Sequence, residues 1–65
     1  MNKGGYVTVR TEAGRGVNCY IVDVEGNKIW IRLPTNQVLE MVFDGKRKLY
    51  TGYLARMEFT VNPKE

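Results

Sequence analysis

The chain is 65 residues long, 43% hydrophobic and 26% charged, with ten Lys and Arg against seven Asp and Glu for a formal net charge of +3. That length accommodates one small domain with a self-supporting core and no second layer or deep cleft. A single cysteine, Cys19, with no histidine and no serine, excludes an internal disulfide, a Cys-rich zinc site and nucleophilic triads of the Ser-His or Cys-His kind.

Apolar residues recur with period two along most of the chain, and no window of helical length carries a helical spacing, so the elements are expected to be strands. The first is Tyr6 to Thr11, with Val7 and Val9 on one face and Thr8 and Arg10 on the other. It ends at the turn Ala13-Gly14-Arg15-Gly16. A second strand runs from about Val17 to Val24. Its parity sets Val17, Cys19 and Ile21 against Tyr20, Val22 and Val24, two apolar faces that suit a central or strongly bent strand.

Glu25-Gly26-Asn27 predicts a tight hairpin turn into a third strand, Lys28 to Leu33. Pro34-Thr35-Asn36 interrupts the pattern. Val38 to Phe43 resumes it, with Leu39, Met41 and Phe43 inward, and a single helical turn near Asn36–Glu40 is the competing reading. Asp44-Gly45 turns into the basic run Lys46-Arg47-Lys48. From Leu49 to Val61 the alternation returns, with Met57, Phe59 and Val61 on one parity and Arg56, Glu58 and Thr60 on the other; Gly52 marks a bend that splits the stretch into two strands.

Five or six short strands joined by Gly-bearing turns predict one small antiparallel β-barrel over residues 1–65, with 1–5 and 62–65 as frayed ends. The pattern is shared by SH3-like, Sm-like, OB-like and split-barrel topologies. Met1 to Gly5 holds no apolar leader and no apolar run reaches membrane length, which sets the expectation of a cytoplasmic protein with no membrane contact. A sequence pI near 9.2 favours an anionic partner.

The chemical inventory points away from catalysis. Asp23 and Glu25 share a strand face, the minimum for a carboxylate pair or a metal clamp, but read better as solvated charges leading into the hairpin. Gly14-Arg15-Gly16 lacks the remainder of any phosphate-binding fingerprint, and Cys19 reads as a small core residue. No enzyme activity, metal or cofactor is expected.

Lys28, Trp30 and Arg32 are more informative, because alternation projects all three from one face of a strand whose other face is Ile29, Ile31 and Leu33. A π-face between cations suits single-stranded nucleic acid or RNA, with bases stacked on the ring and phosphates met by the cations, each stacked base being worth about 1–3 kcal/mol. Arg10, Lys46, Arg47, Lys48, Tyr50 and Arg56 extend that surface if their strands lie nearby. Two other readings stand beside it. A lone tryptophan also covers barrel ends under Lys stems, and Trp30 with Tyr50 or Tyr53 makes a protein-binding patch. The leading expectation is therefore a nucleic-acid-binding module. The alternative is a protein-interaction or regulatory adaptor that forms homo-oligomers through an open edge strand.

Val7-Thr8-Val9-Arg10 through Gly14-Arg15-Gly16-Val17, followed by Ile21 to Leu33, resembles the first half of an Sm-like motif, a family of small RNA-binding barrels that assemble into rings. The family's Asp and Asn after the second strand are replaced here by Glu25 and an offset Asn27, and its Arg-Gly pair by Thr51-Gly52. The resemblance therefore implies the fold more than the RNA site. Tyr20-Ile21-Val22-Asp23 through Ile29 to Pro34 and on to Val42-Phe43 is similar to the N-terminal split barrel that precedes PilZ domains in flagellar-brake proteins. That resemblance implies a protein-interaction module; cyclic-dinucleotide binding does not follow, because these residues hold no Arg-rich PilZ signature.

Overall fold

The computed structural model describes residues 1–64. Six strands, β1 (Tyr6–Thr11), β2 (Gly16–Glu25), β3 (Lys28–Arg32), β4 (Val38–Asp44), β5 (Leu49–Leu54) and β6 (Met57–Val61), follow one another around a closed barrel. Each strand is antiparallel to both neighbours, and β1 meets β6 at Val9↔Val61, Arg10↔Thr60 and Thr11↔Phe59. Closure gives every strand two partners, so the open edge strand that an oligomerising adaptor would offer is absent among the described residues.

Alternation fills the interior. Val9, Cys19, Ile21 and Val61 come from the β6-β1-β2 side, and Ile29, Ile31, Leu39 and Met41 from β3 and β4; all are buried. Leu39 and Met41 point inward as their parity requires, and Phe43 meets Tyr50 edge-on at 5.2 Å. Apolar area removed from water is the main term holding so small a barrel together, at about 25 cal/mol per Å².

Departures from simple alternation each have a local cause. In β2 the register slips between Ile21 and Asp23, a β-bulge that takes up one extra residue. Beyond it the parity inverts, so Val24 joins the core instead of facing away from Ile21. Cys19 and Ile21 before the bulge and Val24 after it thus line one inner face, while Tyr20 and Val17 stay exposed. The helical turn considered near Asn36–Glu40 does not form: Asn36 N–H donates to the Leu33 carbonyl and Leu33 N–H to the Gln37 carbonyl, both at 2.8 Å, with Asn36 at φ 72° closing a β-turn ahead of β4.

Gly52 lies inside β5 rather than between two strands. A Cβ there would stand 2.9 Å from the Glu40 carbonyl oxygen and 3.0 Å from Met41 Cγ, so glycine permits β5 to pass close over β4. The reversal itself falls at Ala55 and Arg56, both with positive φ, 52° and 65°, between the paired residues Leu54 and Met57. Gly26, at φ 59°, supplies the positive first position of the β2–β3 hairpin. Residues ahead of β1 are tied to β2 by Gly4 N–H to Ile21 O and Ile21 N–H to Gly5 O.

Candidate functional site

β3 projects Lys28, Trp30 and Arg32 outward while Ile29 and Ile31 are fully buried beneath them. Lys28 and Arg32 are exposed and Trp30 is half-buried. The neighbouring strands complete a wall around the ring. Trp30 has Asp23 of β2 on one side and Glu40 of β4 on the other; Lys28 lies between Glu25 and Val42, and Arg32 between Tyr20 and Val38. Uninterrupted pairing would have set Val22 opposite Trp30, so the bulge is what delivers the Asp23 carboxylate. Lys28 Nζ reaches Glu40 Oε2 at 4.0 Å, a loose pair between half-exposed groups.

The wall consequently carries both signs of charge, two cations against three carboxylates. Lys28 and Arg32 face Asp23, Glu25 and Glu40, and the fields of opposite groups a few ångströms apart largely cancel beyond a Debye length. It is also more apolar than the three β3 residues suggest: Val38 is 50% exposed, Val42 38% and Tyr20 37%. Tyr6, opposite Tyr20, is 69% exposed and packs on it edge-to-face at 5.6 Å. Tyr6 and Tyr20 are both outward, and the register Tyr6↔Tyr20↔Arg32 lines them up with Arg32. Only the hairpin register brings them together, and no local signal in the sequence carries it.

The remaining basic and aromatic candidates lie elsewhere. Arg10 projects from β1 between Gly16 and Thr60, with its guanidinium donating to the Gly14 carbonyl at 3.4 Å. Tyr50 is half-buried, packed against the core beside Phe43. Lys46, Arg47 and Lys48 form the β4–β5 turn, where Asp44 Oδ1 accepts from the Lys46 and Arg47 amides at 2.9 and 3.3 Å and Lys48 takes φ 58°. Arg56 sits in the β5–β6 turn, which the up-and-down order places at the other end of the barrel.

Arg47 is engaged. Its guanidinium donates to both oxygens of Glu58 at 2.8 and 3.2 Å, Tyr53 Oη donates to Glu58 Oε2 at 2.8 Å, and the Glu58 amide donates to Glu12 Oε1 at 2.9 Å. Hydrogen bonds from Arg47 and then Tyr53 hold the Glu58 carboxyl below its ordinary value, and the same contacts push Arg47 and the Tyr53 hydroxyl up. This is a clamp between the β4–β5 turn, β5, β6 and the end of β1.

Burial pushes the Cys19 thiol up, away from thiolate, and the thiol donates to the Val17 carbonyl at 3.7 Å. Asp23 and Glu25 are exposed on the outer face, and Asp23 Oδ1 accepts from the Val24 amide at 2.9 Å. Among the described residues no group of three or more His, Cys, Asp or Glu is placed to hold a metal ion, and no helix is long and apolar enough to cross a membrane. A shallow depression of about 240 Å³ beside Asn2, Tyr6, Val7 and Pro63 has no charged side chain in its lining. No family model, no curated protein and no solved structure matches the chain.

Proposed function

We propose that this barrel is a non-enzymatic module that docks a protein partner on the β2–β4 wall, with Trp30 at the centre and Tyr20, Arg32, Val38 and Val42 around it. The observation that carries the reading is the composition of that wall: a half-buried tryptophan ringed by alternating charges and exposed apolar side chains. Tryptophan, tyrosine and arginine are the anchors of protein hot spots, near-neutral side chains such as valine around them exclude water, and charges of both signs select a partner rather than attract any polyanion. Of the two resemblances, the split barrel of flagellar-brake proteins is the one consistent with this reading.

A photo-crosslinking residue in place of Val38 tests it. Discrete protein adducts are expected from Val38 and not from the same residue at Thr60, which lies on the far side of the barrel; equal labelling from both positions refutes the assignment of the face. Single-stranded nucleic acid is the second reading, favoured by the net charge of +3 and the exposed Tyr6–Tyr20 pair beside Arg32. It requires oligonucleotide affinity that falls steeply with salt and is lost with Trp30→Ala.

A further inference from the structure

The Trp30 wall carries a charge pattern complementary to itself. Lys28 and Arg32 lie on either side of Trp30 along β3, and Asp23 and Glu40 lie on either side across the sheet. Alternate side chains on a strand are about 6.6 Å apart and neighbouring strands about 4.8 Å apart. The four charges therefore form a cross with arms of similar length, positive on one bar and negative on the other.

Such a cross matches its own copy only after a quarter turn. Two copies placed face to face with their β3 strands aligned meet like on like: Lys28 over Lys28 and Asp23 over Glu40, or, with the strands reversed, Lys28 over Arg32 and Asp23 over Asp23. Crossing the strands at right angles, one of the two standard ways in which sheets pack, sets every cation over a carboxylate. A two-fold axis lying in the contact plane, diagonal to β3, generates that crossing and makes the contact isologous.

There are two such diagonals, and the corners of the wall distinguish them. Tyr20 and Val38 flank Arg32, and Glu25 and Val42 flank Lys28. One diagonal puts Glu25 over Val38, which would desolvate an unpaired carboxylate. The other puts Val38 on Val38 and Tyr20 over Val42, covering all three exposed apolar corners, and leaves Glu25 facing its mate at the rim where two convex walls diverge. That second diagonal pairs Lys28 with Asp23 and Arg32 with Glu40.

We infer that the occupant of the wall is a second copy of this chain, crossed at right angles over Trp30, with Lys28 on Asp23 and Arg32 on Glu40 of its mate. The inference rests on the protein-docking reading above and names its partner. A chain with principal extents of 29 × 26 × 19 Å offers a face at the low end of the roughly 800 Å² per partner that standard interfaces bury, so the dimer exchanges with monomer rather than persisting indefinitely.

Sedimentation equilibrium on purified chains tests it. The native chain dimerises; Lys28→Glu and Asp23→Lys each weaken self-association about a hundredfold or more, because each sets two like pairs face to face. An equimolar mixture of those two variants restores a dimer, since one contact is then the native Lys28–Asp23 pair and the other is the same pair with its signs exchanged. Lys28→Glu mixed with Glu40→Lys does not. Circular dichroism confirms that each variant is folded. No restoration with Asp23→Lys, or restoration with Glu40→Lys in its place, overturns the inference. A native chain that stays monomeric while Val38 still crosslinks a different protein also overturns it and leaves the docking reading standing; a monomer with no Val38-specific adduct removes both.

Discussion

Replacing Gly52 with alanine isolates the close passage of β5 over β4. An added methyl would sit 2.9 Å from the Glu40 carbonyl oxygen, 3.0 Å from Met41 Cγ and 3.3 Å from Leu39 Cγ. The first of these is backbone, fixed by the Trp30↔Glu40 pairing, and cannot swing aside as a side-chain end can. Gly52 does not occupy the left-handed region, so alanine carries no φ penalty there and would on propensity alone gain about 0.5–1 kcal/mol by restricting the unfolded chain. Overpacking a tight site costs about 1–3 kcal/mol. The net expectation is a loss of about 1–2 kcal/mol, a large part of the few kcal/mol available to a domain of this size, and a Tm lower by about 4–8 °C for each kcal/mol. Urea unfolding followed by Trp30 fluorescence measures it, with Gly45→Ala as control because nothing lies within 4 Å of a Cβ there. A Gly52→Ala variant as stable as the native chain, or more stable, would refute the close-passage argument.

Three further outcomes follow from other parts of the barrel. Ala55→Asn with Arg56→Gly should stabilise the chain by about 1 kcal/mol in the same assay, since both positions have positive φ and the native residues are strained in a turn that Asn-Gly fits; no gain contradicts the strain. Glu58→Gln should lower stability at neutral pH. Because the folded carboxyl titrates below its ordinary value of 4.5, the contribution is present above that value and is lost as pH falls through the lowered one, so the two chains should converge in strong acid; a constant difference across pH is the contrary result. Cys19 should resist a thiol-disulfide exchange reagent in the folded chain and react fully in denaturant, whereas rapid labelling of the folded chain would place the thiol outside the core.

Period-two alternation carries most of the architecture. It locates β1, β3 and β4 to within a residue and selects the inward side of Leu39, Met41, Phe59 and Val61. What it does not carry are the places where the period breaks. The bulge after Ile21 has no glycine or proline to announce it, yet it decides that Val24 packs inside and that Asp23 confronts Trp30. The β5–β6 turn is made by Ala55 and Arg56, neither a favoured turn residue, while the glycine nearby serves packing.

The β3 stripe itself was legible, because alternation within one strand suffices to align Lys28, Trp30 and Arg32. Its neighbours were not: Tyr6, Tyr20, Glu40 and Val38 join it through hairpin and cross-strand registers, which depend on turn lengths and on the bulge. Those neighbours alter the chemistry of the face from a cationic aromatic stripe to a mixed-charge, partly apolar wall. Arg47 and Tyr50 illustrate the same limit. One is held by a carboxylate eleven residues away and the other meets an aromatic ring on the adjoining strand.

The most direct measurement is the amide-resolved NMR spectrum of the labelled chain, recorded as its own concentration is raised and as any protein crosslinked from Val38 is added. Shifts concentrated on Tyr20, Asp23, Trp30, Arg32, Val38 and Glu40 are the expected result. Shifts confined to the Lys46–Lys48 turn, Arg15 and Arg56, or appearing only with a nucleic-acid strand, would contradict the assignment of the β2–β4 wall as the docking face.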